Sequence, residues 1–174
     1  MTLDHLTTWL EIDLGAIRHN VQKMHSLTHR PVMAIVKANG YGHGLVEAAR
    51  AAQQAGSPWC GVARIEEALA LRQAGLTLEI LVLGYTAPAR AAEAAANRIT
   101  LAVYDLEVAR AYAAQARQTG HTLNLHAKFD TGMSRLGIFA EDGLPFMQQL
   151  TQVPGISVGG MFTHFARSDE AERT

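Results

Sequence analysis

The densest group of reactive residues in this sequence is AIVKANGYGHG at residues 34–44, where one lysine leaves an apolar run and three glycines, a tyrosine and a histidine follow. Lys37 supplies an amine. Gly40, Gly42 and Gly44 permit positive φ or close approach of backbone to a ligand, and Tyr41 sets a phenol beside the amine. Taken singly, a strand-end lysine simply reaches solvent, and Tyr41 packs as a core aromatic with its hydroxyl satisfied. Taken together, the residues suit Schiff-base chemistry on a carbonyl compound, which requires a partly desolvated lysine of lowered pKa. Two further segments carry reactive types. KFDTGMSRLG at 128–137 places Lys128, Asp130 and Arg135 around two glycines. On spacing alone this is a turn with an exposed salt bridge, worth at most about 1 kcal/mol. FTHFA at 162–166 holds His164 between phenylalanines, which suits a half-buried core histidine as well as a ligand-facing one.

The elements that must position these groups alternate along the chain. Strands are expected at Val32 to Val36, Trp59 to Ala63, Glu79 to Leu83, Ile99 to Val103, Leu123 to Lys128 and Ile156 to Phe162, which are short apolar runs rich in β-branched residues. Helices are expected at Leu45 to Ala55, Ile65 to Ala74, Ala87 to Asn97, Leu106 to Thr119 and Gly143 to Gln152, all rich in Ala, Leu, Gln, Glu and Arg. Three of them end alike, in QQAG, RQAG and RQTG, so Gly56, Gly75 and Gly120 are expected as left-handed C-caps. Asp105 is placed to N-cap the helix from Leu106. Alternation of this kind implies an α/β fold with a parallel sheet and right-handed crossovers. No GxGxxG follows the first strand, which weakens a doubly wound dinucleotide fold. Lys37, Lys128 and His164 all fall at or just past strand C-termini, the face where a (β/α)8 TIM-type barrel gathers its chemistry. Before the barrel, WLEID (Trp9 to Asp13) is expected as a strand and Leu14 to Leu27 as a helix. Residues 1–28 thus lead into a partial barrel at 29–174.

Composition narrows the class. With 174 residues, 48% hydrophobic, 18% charged and a net charge of −1, the chain has the profile of one globular domain with a sizeable core. Scattered Lys and Arg give no nucleic-acid footprint, and no apolar run approaches the ~18 residues of a membrane span. Cys60 is the only cysteine and sits in an apolar segment. It is expected to be buried and inert, and a reducing, cytoplasmic compartment fits. His25 and His29 lack a carboxylate or cysteine partner in pattern, so no metal site is expected.

AIVKANGYGHG resembles the pyridoxal-phosphate lysine motif of the alanine racemases, with Gly40 where alanine is more usual. AKFDTGMSRLG at 127–137 and FTHFARSDE at 162–170 resemble further motifs of that family in the same order, and the resemblance runs from about Trp9 to Glu170. It implies a pyridoxal 5'-phosphate enzyme interconverting L-alanine and D-alanine for peptidoglycan. Lys37 would carry the cofactor and move the α-proton. Tyr41 would bind the cofactor phosphate, Arg135 the phenolic oxygen and the substrate carboxylate, and His164 would lie against the ring. Lys128 matches a lysine that is carbamylated in many members, and a carbamate would orient Arg135 where a cation would repel it.

The family adds a mostly β C-terminal domain bearing a second catalytic tyrosine, which acts across a homodimer. The sequence here corresponds to about six of the eight βα units and lacks that domain. It is therefore expected to be a partial, poorly folded and inactive piece, its open sheet presenting unpaired edges. Two alternatives stand beside this reading. One is a single-domain pyridoxal-phosphate-binding protein without racemase activity, which would need neither Arg135 nor a second domain. The other is a racemase for serine or another amino acid.

Overall fold

The computed structural model describes residues 7–170. Residues 8–13 have no regular secondary structure, so the strand expected at Trp9 to Asp13 is absent. A strand needs a partner to pair with; here Trp9 and Leu10 are instead 55% and 74% exposed. Asp13 serves as the N-cap of helix α1, Leu14–Thr28, its carboxylate accepting from the Ala16 N–H at 3.0 Å.

From there the expected alternation holds. Strand β1 is Met33–Ile35, followed by α2, Lys37–Tyr41, a single turn of unusual hand. Then come α3, Leu45–Gln54, β2, Trp59–Val62, α4, Ile65–Gln73, and β3, Glu79–Val82. A short 3-10 turn leads into α5, Ala91–Ala96, then β4, Ile99–Val103, α6, Leu106–Arg117, and β5, Leu123–Asp130. Two residues, Ile138–Phe139, form β6, which the sequence did not suggest; α7, Gly143–Leu150, and β7, Ile156–Phe162, complete the order.

The strands β1 to β5 pair in sequence order, β7 joins the far side of β5, and every pairing is parallel. The tiny β6 pairs only with the extended end of β5, Phe129 and Asp130. Gly56, Gly75 and Gly120 take φ of 90°, 79° and 70°, as C-caps require. Asp105 caps α6 by accepting from the Val108 N–H at 2.9 Å.

Alternate residues of each strand face two different environments. One face packs on the helices: Cys60, Val62, Ile80, Val82, Leu101, Leu123 and Leu125 are buried against alanine-rich helix surfaces, including Ala68, Ala94 and Ala109. Alanine lets the helices approach the sheet closely. Cys60 lies in this layer, and burial pushes its thiol up to about 12, so it is inert at neutral pH. The other face is the barrel interior, where Ile35, Gly61, Leu83, His126 and Lys128 lie. There Gly61 makes room: a Cβ would sit 2.7 Å from the Ile35 Cδ1 and 3.1 Å from the Leu83 Cδ1.

Candidate active site

Lys37 leaves β1 at the strand's C-terminal end and opens α2, where Ala38, Asn39, Gly40 and Tyr41 all have φ between 52° and 63°. This is a left-handed turn, and each non-glycine residue in it costs roughly 1 kcal/mol or more. Local bonds offset part of the cost. The Gly40 N–H donates to the Val36 carbonyl at 2.8 Å, and the Asn39 side chain accepts from the Leu45 N–H at 3.0 Å. Gly42, at φ 92°, closes the turn. Glu67 reaches in from α4, accepting from the Ala38 N–H at 2.7 Å. The turn leaves the Lys37 amine 5.8 Å from the centre of the Tyr41 ring. Tyr41 is 59% exposed, so it is not a packed core aromatic.

Lys128 lies on β5 with 5% of its surface exposed, its amine 4.9 Å from the centre of the Phe162 ring. Burial holds its pKa below the ordinary lysine range; Arg135 and Lys37 push the same way, and Asp130 opposes them. The salt bridge expected in this motif is not formed. Asp130 turns its carboxylate onto backbone instead, accepting from the Gly132 N–H at 2.9 Å and the Ser134 N–H at 3.0 Å. Those bonds hold its carboxyl below the usual range. Gly137 lets the loop close on β5, since a Cβ there would meet the Asp130 N at 2.5 Å. The loop carries Arg135, which is solvent-exposed.

His164 follows the end of β7. Thr163 fixes that exit, donating to the Phe129 carbonyl at 3.0 Å and lying 2.7 Å from the Thr131 hydroxyl, which ties β7 to the β5 loop. His164 is exposed, its Nδ1 2.8 Å from the Phe165 carbonyl.

These segments meet. Lys37, Tyr41, Lys128, Arg135 and His164 all line one cavity of about 570 Å³ at the C-terminal ends of the strands. Leu83, at the end of the third expected strand, lines it too. His126 was missed in the sequence. It precedes Lys128 by two residues on the same face, its ring 5.1 Å from that of Trp59. Burial lowers its pKa, favouring the neutral imidazole. Gly160 makes space for it, because a Cβ there would come within 3.0 Å of the ring. The signal was available as the period-2 spacing of His126 and Lys128 opposite a glycine pair.

A parallel β/α-barrel sheet with an amine, a guanidinium, a phenol and an imidazole facing one cavity defines a class by its fold: β/α-barrel proteins whose polar groups gather at the C-terminal ends of the strands. Comparison with known proteins narrows it. A profile for "Alanine racemase, N-terminal domain" matches residues 12–174, and the chain belongs to that family. It is 45% identical over 166 residues to an alanine racemase of Desulfovibrio desulfuricans, covering 94% of this chain and 45% of that protein. An alanine racemase structure from Clostridium difficile superposes with a TM-score of 0.90 at 36% identity, over 97% of this chain and 47% of the other. A histidine racemase from Leuconostoc mesenteroides superposes with a TM-score of 0.83 at 38% identity, over 89% of this chain and 42% of the other. The chain thus spans a little under half the length of the relatives it matches.

Proposed function

We propose that the chain is the cofactor-binding barrel of a pyridoxal 5'-phosphate-dependent alanine racemase. The observation that carries this reading is the convergence of Lys37, Tyr41, Lys128, Arg135 and His164, from three separate segments, on one cavity. The donor set fits the cofactor: a half-buried amine for its aldehyde, a guanidinium for its phenolic oxygen, a phenol for its phosphate and an imidazole for its ring. When bound, the cofactor supplies an electron sink for charge developing at the substrate α-carbon.

Lys37 would hold the cofactor through its amine, and as a free amine in the cavity it would move the α-proton on its own face. Arg135 orients the substrate carboxylate. Racemisation needs an acid or base on each face of the α-carbon, and the resemblance assigns the second to a tyrosine of a C-terminal domain acting across a homodimer. The product, D-alanine, would feed peptidoglycan in the cytoplasm. Among the described residues no helix is long and apolar enough to cross a membrane.

Lys128 is proposed to react with carbon dioxide. Its neutral amine, favoured by burial, adds to the carbon and releases a proton, leaving an anionic carbamate beside Arg135. An intact mass without the added carbon dioxide, together with activity independent of it, would remove this assignment.

A second substrate reading is favoured by one observation: the histidine racemase from Leuconostoc mesenteroides shares this same half of its fold. Chiral analysis of a panel of amino acids with the full-length protein separates the two. For the cofactor site, borohydride reduction after pyridoxal phosphate is added is expected to label Lys37, and Lys37→Ala to abolish the label. Labelling confined to Lys23 or Lys128, the other two lysines, would sink the assignment.

A further inference from the structure

Glu67 is 9% exposed, and no side-chain cation lies within ion-pair distance of it among the described residues. Its charge is satisfied by three backbone N–H groups. Oε2 accepts from Ala63 at 2.8 Å and Arg64 at 3.1 Å, which secures the β2 exit and the start of α4. That much is helix capping. Oε1 does something else. It accepts from the Ala38 N–H at 2.7 Å, a residue distant in sequence and immediately after Lys37. Among the described residues, no other side chain from outside residues 36–45 hydrogen-bonds the backbone of the left-handed turn. Ala38 itself stands at φ 52°, a conformation alanine does not choose alone.

We propose that Glu67 is a positioning residue: by accepting the Ala38 N–H it fixes the left-handed turn from which Lys37 and Tyr41 reach the cavity. Resting on the proposed cofactor site, this names the group that holds the cofactor lysine in place. A carboxylate suits the task because all three partners are donors. An amide would set its own N–H2 against one of them.

The test separates capping from positioning with the double variant Arg64→Ser/Glu67→Ala, read against the parent chain. Serine at the extended N-cap position restores a side-chain cap to α4 and leaves Ala38 unheld. Amide exchange in residues 38–41 is expected to quicken about tenfold, the scale of one hydrogen bond to a charged group, while residues 65–73 stay protected. Borohydride-trapped pyridoxal phosphate on Lys37 is expected to fall by a similar factor. Adding Ala38→Gly, which removes the penalty at φ 52°, is expected to restore the label, a rescue that a purely structural cap would not show. Unchanged exchange at 38–41 in the double variant would overturn the proposal and leave Glu67 a helix cap. If the parent takes no label on Lys37, the cofactor reading fails, and the exchange measurement still decides the role of Glu67.

Discussion

Helix α4 carries a buried anion near its first turn and a half-buried cation in its last, and among the described residues neither is paired with an opposite side chain. Glu67 gathers N–H groups at the C-terminal ends of the strands. Arg72 gathers carbonyls at the opposite ends: its guanidinium donates to Leu76, Leu78, Asn97 and Arg98 oxygens at 2.7 to 3.0 Å. The signs follow from helix chemistry, since helix starts present free N–H groups and helix ends free carbonyls. What differs is where the bonds lead. All four of Arg72's acceptors lie in the loops before β3 and β4, and none of those four residues lines the cavity. One of Glu67's donors is the residue next to Lys37. In a β/α barrel the N-terminal ends of the strands serve stability and the C-terminal ends serve chemistry, and here the division passes through one helix.

Arg72→Met tests that division with the largest effect. The substitution keeps the apolar stem and strips the donors from four carbonyls, so it is expected to cost about 3 kcal/mol and lower Tm by about 10 °C. Denaturant or thermal unfolding measures the loss. At temperatures where the variant remains folded, pyridoxal phosphate trapped on Lys37 should match the parent. A large drop in that labelling would break the comparison, because the scaffold end would then govern the site.

Much of this architecture was legible in the sequence, and the exceptions are informative. The six main strands show as apolar runs, and Gly56, Gly75 and Gly120 mark helix ends because only glycine takes those φ values without cost. Lys37, Lys128 and His164 betray the barrel face because they sit at strand exits. The strand expected at Trp9 to Asp13 fails because apolar alternation gives a strand only where a neighbour pairs with it. The left-handed turn was half visible: the glycines announced positive φ, whereas Ala38 and Tyr41 adopt it only because the surroundings hold them there. Glu67 reads in sequence as an ordinary first-turn acid, and its reach to Ala38 is a tertiary fact. The salt bridge expected among Lys128, Asp130 and Arg135 gives way to Asp130's own turn, because backbone N–H groups two and four residues on are nearer to hand than a mobile side chain.

Lys128 sharpens the contrast with Arg72 through a smaller effect of opposite sign. As an unmodified amine it is buried against Phe162, with its proton affinity lowered first by burial and then by Arg135 and Lys37. The folded state therefore binds this proton less tightly than the unfolded chain, whose value is near 10.5. Below the folded-state pKa the charged amine costs stability, and the cost fades as pH rises through that pKa towards the unfolded value. Lys128→Met, similar in volume and uncharged, is expected to raise Tm at pH 7 by about 3 °C. The gain should shrink as the buffer approaches the lysine range. Saturating carbon dioxide should reverse the sign, because a carbamate at this position attracts Arg135 and Lys37 where an ammonium repels them. A Tm gain that is flat with pH, or a loss at neutral pH without carbon dioxide, would show that the cavity end of the barrel tolerates this charge as readily as the other end uses Arg72. The expected pattern is the reverse. Arg72 stabilises the scaffold end because it has carbonyls to satisfy, whereas the Lys128 ammonium at the cavity end is expected to be kept at the expense of stability, a cost that the proposed carbamate would offset.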